Sequence, residues 1–189
     1  MFNEDNSIVI VFNGEIYNYK ILREDLIAKG HVFRNNSDTE VLVHGYEEYG
    51  TDLPKHCRGM FAFMIYDTNK DIAFGARDYF GIKPFYYSVV KGNLVFGSEI
   101  KSILEYPGYE KKVNTEALEE YLTFQYSVLP ETFFKGIFKL PPAHSILFKD
   151  GKVDIQRYWE PDYDIDENAD FDELVDKICL LYTSDAADE

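Results

Sequence analysis

Between Met60 and Phe96, four short apolar and aromatic runs follow one another with little chain between them. They are Met60–Tyr66, Ile72–Ala76, Phe85–Val89 and Leu94–Phe96. Turn-forming stretches separate them: Asp67-Thr68-Asn69-Lys70, Phe80-Gly81 and Lys91-Gly92-Asn93. Parallel pairing needs a crossover of a dozen residues or more, so gaps this short dictate antiparallel hairpins. Ser145–Phe148 and Val153–Tyr158 repeat the pattern about Asp150-Gly151. Ahead of them, Ile8–Phe12 reads as a buried strand that ends in a turn at Asn13-Gly14.

Helical patterns flank these strands. Tyr19–Lys29 sets Leu22, Leu26 and Ile27 on one face, with Gly30 where a C′ glycine stands. Ser37-Asp38-Thr39-Glu40 fits a capping box, with Ser37 as N-cap, and opens a helix that runs to about Tyr49 and stops at Gly50. Two more helices are expected near Glu99–Glu105 and Thr115–Phe124. The reading is an α+β domain, helices packed on antiparallel sheet. From Glu160 the composition changes. Twelve of the 34 acidic residues lie from there onward, so the first 159 residues are only mildly acidic. Residues 160–181 read as an acidic linker followed by the start of another domain, with Leu174, Val175, Ile178 and Leu181 at helical spacing.

The bulk chemistry excludes several classes. A net charge of −15 repels nucleic acid. No 18-residue apolar run marks a membrane span, and the first residues do not form a signal peptide, so a cytoplasmic protein with reduced thiols is expected. Cys57 and Cys179 make no disulfide framework. Cys57 reads as a packing residue, because neighbouring His56 points to the opposite face if the segment is extended. His31, His44 and His144 show no ligand spacing, so no metal site is expected. Nothing in the sequence sets an oligomeric state.

Asn13-Gly14 is the segment most open to chemistry. At a strand end it can aim a side-chain amide and a backbone N–H at one point, as an oxyanion hole requires, although Asn-Gly is also a common plain turn. The surrounding motifs decide between these readings. Asn13-Gly14-Glu15-Ile16-Tyr17-Asn18, Ser37–Leu42, Arg58–Phe63, Ala76–Tyr87, Phe96–Lys101 and Leu140–His144 occur in an order that resembles class II glutamine amidotransferases. Arg157-Tyr158-Trp159 narrows the resemblance to asparagine synthetases, over about Ile8 to Trp159. Tyr79, Phe85, Gly97 and Ala143 are small departures; the family more often has Arg and Leu at the first two.

The resemblance implies an N-terminal-nucleophile type four-layer αββα sandwich, missing its first strands, over residues 1–159. It implies that Asn13 and Gly14 supply the oxyanion hole, and that Glu15 and Asp38 hold the α-ammonium of glutamine. The block Ala76–Tyr87 reads as architecture, with an Arg77–Asp78 ion pair. The implied whole-protein reaction is glutamine-dependent amidation of aspartate, with ATP and magnesium used in a synthetase domain; this stretch holds no cofactor. The family's nucleophile is an N-terminal cysteine, which this chain lacks. It therefore reads as a piece truncated at both ends, inactive alone, aggregation-prone, and with a non-native tail at 182–189. Two alternatives remain open: the glutaminase domain of another class II amidotransferase, and a non-catalytic glutamine-binding module.

Overall fold

A computed structural model describes residues 1–127, 129–163 and 170–186, the side chains of 180–186 excepted. The chain divides into two compact units, Met1–Trp159 and Glu160–Glu189.

The first unit is built on two antiparallel sheets. Strands β1 (Ile8–Ile16), β2 (Gly59–Asp67), β3 (Ile72–Arg77), β7 (His144–Lys149) and β8 (Lys152–Arg157) lie side by side in that order. Strands β4 (Tyr86–Val90), β5 (Asn93–Gly97) and β6 (Phe138–Lys139) form the second sheet, in the order β5-β4-β6. The hairpins β2-β3, β4-β5 and β7-β8 are present as expected, but β3 and β4 do not pair about Phe80-Gly81: the chain crosses there from one sheet to the other, and the two-residue β6 is an addition. Its pairing with Tyr86 and Tyr87 is made by tertiary contact, which no periodicity announces.

Strand β2 explains why its sequence is apolar nearly throughout. Phe61, Phe63 and Ile65 face one core, with Leu22, Leu26, Val41, Leu42 and Tyr46. These come from α1 (Tyr19–Ala28) and α2 (Asp38–Tyr49). The alternate residues, Ala62 and Met64, face a second core with Phe85, Tyr87, Leu140 and Ile146, between the sheets. A strand covered on both faces loses the apolar–polar alternation. Helix α4 (Ile100–Leu104) packs on β5 and β4, adding the fourth layer, and α5 (Thr115–Phe124) follows. The four-residue α3 (Leu53–His56) joins α2 to β2 and was not foreseen.

Three local expectations change. Strand β1 does not end at Asn13-Gly14; it stays paired through Ile16, with Gly14 opposite Phe61. Ile27 is exposed, because the buried stripe of α1 is Leu22 and Leu26. The capping box is half made. Ser37 Oγ accepts the Glu40 N–H at 3.3 Å, but the Glu40 carboxylate accepts from Arg34 and Asn35 N–H, tying down the preceding loop.

An apolar groove of about 390 Å³ runs between the sheets, lined by Val9, Val11, Met64, Tyr66, Leu94 and Phe96. Val11 is 61% exposed there. In the second unit, α6 (Phe171–Ala186) begins where Asp170 Oδ1 accepts the Glu173 N–H at 3.0 Å. Lys177 pairs with Glu173 one turn away at 2.8 Å. The expectation of a non-native tail falls partly outside the described residues, at 187–189.

Candidate functional site at the edge of strand β1

Strand β1 is an edge strand, and the alternation of its ladder decides what each residue offers. The Ile10 N–H points away from β2, to Met1 O at 2.9 Å, and the Ile16 N–H points the same way, to Asp38 Oδ2 at 3.1 Å. Gly14 shares their parity, so its N–H also faces the outer edge. Its partner across the ladder agrees: Phe61 directs its N–H and C=O to Asp78 instead of to Gly14. Asn13 and Glu15, one residue out of step, are exposed on the opposite strand face from Ile16.

The Asn13 side chain crosses to the end of β5, where its Nδ2 donates to Ser98 Oγ at 3.0 Å. An amide nitrogen carries two N–H groups, so this bond fixes the side chain and leaves one donor. A cavity of about 150 Å³ opens beside it, lined by Val11, Asn13, Ala62, Phe85, Phe96 and Ser98. Asp38 is the first residue of α2, where the helix dipole favours a carboxylate. Its bond to Ile16 N–H sets it against the end of β1 that carries Gly14 and Glu15. The fold thus brings Asn13, Gly14, Glu15 and Asp38 to one strand end. Ser98 is the member sequence reasoning missed: it lies 85 residues from Asn13, and only sheet packing joins them.

Gly14 is also held by sterics. At φ 153° a Cβ would sit 2.1 Å from Met60 O. Gly59 mirrors it across the ladder, with φ 151° and a Cβ that would meet Glu15 O at 2.1 Å. The two glycines let the strand ends approach closely, with the Gly14 N–H remaining on the rim. Asn18 fastens this end, donating to His56 O at 2.9 Å and accepting the Arg58 N–H at 2.8 Å.

The Arg77 block has a different character. The expected Arg77–Asp78 ion pair is replaced by two sets of backbone bonds. The Arg77 guanidinium donates to the carbonyls of Gly81, Lys83 and Leu140. Asp78 accepts N–H bonds from Phe61, Phe80, Ile82 and Lys83. Both side chains are buried. Gly81 is required beneath them: at φ 67° its Cβ would lie 2.8 Å from Pro142 and 2.9 Å from Arg77 Cζ. Two departures from the family find reasons here. Tyr79 stands edge-on to Phe61, Tyr158 and Trp159 and donates to Pro54 O at 3.2 Å. A Cβ on Gly97 would come 2.5 Å from Ser102 Oγ.

Cys57 is 2% exposed and burial pushes its thiol up to about 12, so no thiolate is available there. His56 stacks on Tyr49 at 3.9 Å. Cys179 lies exposed in α6. His31 and His44, far apart in sequence, have ring centroids 5.1 Å apart. Among the described residues no helix is long and apolar enough to cross a membrane.

Comparison with known proteins places the family and the fold. Asparagine synthetase (glutamine-hydrolyzing) 3 of Bacillus subtilis (strain 168) is 39% identical over 178 residues, covering 94% of this chain and 29% of that protein. Asparagine synthetase (glutamine-hydrolyzing) 1 of the same organism is 40% identical over 161 residues, covering 85% and 25%. Among solved structures, glutamine phosphoribosylpyrophosphate amidotransferase from B. subtilis superposes with a TM-score of 0.58 at 18% identity, over 85% of this chain and 31% of that one. At that identity the likeness is one of fold alone. The chain spans less than a third of the length of these proteins. The profile of the glutamine amidotransferase domain matches residues 1–159, and the chain belongs to that family.

Proposed function

We propose that this chain is the glutamine-handling part of a glutamine-hydrolysing asparagine synthetase. The observation that carries the reading is the end of β1, where a pinned Asn13 amide and an edge-facing Gly14 N–H are joined by the Asp38 carboxylate, anchored on Ile16 N–H. The Asn13 amide and the Gly14 N–H are the donors for the oxyanion that forms when the glutamine amide is attacked. Glu15 and Asp38 take the α-ammonium. Charge-assisted bonds to two carboxylates favour an amino acid over a plain amide.

In the whole protein, ammonia released here is used to amidate aspartate in a synthetase domain that binds ATP and magnesium. No glycine occurs after Gly151, so the residues of this chain do not fit a phosphate-cradling loop. Cys57, buried and protonated, does not suit the nucleophile. The reading as an asparagine synthetase, and not another amidotransferase, rests on the two relatives at 39% and 40% identity.

The test is kinetic. In the complete enzyme, Asn13→Ala lowers kcat for glutamine hydrolysis by roughly 100- to 1,000-fold with KM little changed, the pattern of a lost oxyanion donor. Asp38→Asn raises KM for glutamine. Unchanged kcat in the first variant and unchanged KM in the second would together refute the assignment.

A further inference from the structure

The second half of α2 carries a cluster that glutamine chemistry does not use. His44 and Glu47 lie one turn apart on the helix, and the turn after α1 delivers His31 against them. His44 Nδ1 lies 2.8 Å from Glu47 Oε2, and His31 Nδ1 lies 3.5 Å from the same oxygen. One ligand atom from each residue falls within 4.8 Å of the others. Ligand atoms around a tetrahedral zinc lie about 3.3 Å apart, given bonds near 2.0–2.1 Å. The three atoms need move little to share an ion.

The surroundings carry the argument further. A histidine that ligates through one nitrogen usually directs the other N–H at a carboxylate. Both rings have a carboxylate on that side within ion-pair distance. His44 Nε2 faces Glu4 Oε1 at 3.6 Å and Glu40 Oε1 at 3.9 Å, and His31 Nε2 faces Glu48 Oε2 at 3.7 Å. The far oxygen of Glu47 accepts from Asn3 Nδ2 at 2.9 Å, which orients the near one toward the rings. Four carboxylates thus surround two imidazoles, and Lys29 reaches only Glu48, at 3.4 Å. Phe33 packs edge-on to His44, which is 2% exposed, while the side chains of His31 and Glu47 are 19% and 23% exposed. The cluster is dry on one side and open to water on the other.

We propose that His31, His44 and Glu47 form a divalent transition-metal site of the zinc type, with water completing the coordination. The ion ties the loop after α1 to α2, and Glu47 extends the tie through Asn3 to the N-terminal segment. It lies away from Asp38, which opens α2, and takes no part in glutamine chemistry.

Cobalt titration of the chelator-treated 189-residue chain tests this. One equivalent of Co²⁺ should bind and give visible absorption bands of tetrahedral intensity, and one equivalent of Zn²⁺ should displace it and raise Tm. His31→Asn and Glu47→Gln should weaken binding about 100-fold or more, and Glu48→Gln by about 10-fold. Glu47→Gln keeps the side-chain shape, and its far-UV circular dichroism should match the parent. Absence of saturable one-to-one binding, or affinity unchanged in Glu47→Gln, overturns the proposal and leaves the cluster an ionic network.

Discussion

The Asn13–Ile16 strand end and the Arg77–Tyr87 block are both among the most recognisable stretches of this chain, yet their polar groups are disposed in opposite ways. In the block, three guanidinium bonds end on carbonyls and four N–H groups end on Asp78, all with partners within the chain. At the strand end, Asn13 gives only one amide N–H to Ser98, Glu15 is exposed, and the Gly14 N–H lies along the outer edge. A motif can be restrictive because folding needs it or because a ligand does. The two are told apart by whether its polar groups find their partners within the chain.

The largest expected effect comes from breaking the satisfied side. Arg77→Met leaves three carbonyls without their donor and should destabilise the first unit by about 4 kcal/mol in urea unfolding. A loss near zero would mean the block is not held by that network. Gly14→Ala probes where the two regions overlap. Its Cβ would press on Met60 O, and about 3 kcal/mol should be lost from a residue that also belongs to the proposed site.

A pH titration sharpens the contrast from the core. Cys57 has its thiol raised by burial from an ordinary 9.0 to about 12, so the fold favours the neutral form. Its contribution is full below pH 9.0 and is lost as pH rises toward 12, at roughly 1.4 kcal/mol per pH unit. Melting temperature should fall more steeply above pH 9 in the wild type than in Cys57→Ala. Equal slopes would show that the thiol does not report on the core.

The smallest effects belong to the exposed side. Asn13→Ala and Glu15→Ala should each change stability by about 0.5 kcal/mol or less, whatever they do to glutamine. A cost above about 2 kcal/mol in either would erase the distinction.

Much of the fold was legible in the sequence because its signals are local. Turn residues between apolar runs announced four hairpin strands, and Ser37 and Gly50 bounded α2 where expected. The misses share a cause. Strand β1 continues through Asn13-Gly14 because β2 pairs with it, which overrides a strong turn dipeptide. Glu40 abandons its own helix cap for the N–H groups of Arg34 and Asn35, a loop whose position the helix alone does not set.

The candidate site divides the same way. The sequence by itself determined which residues carry donors and carboxylates, since Asn13, Gly14, Glu15 and Asp38 stand in an ordered set of motifs. Only the tertiary structure decided that Ser98 fixes the Asn13 amide, that the Gly14 N–H faces outward, and that His31 meets His44 and Glu47. Composition and spacing describe what a short segment can do. Which N–H stays unpaired, and which distant side chain arrives beside it, depends on ladder parity and packing between elements far apart in the chain.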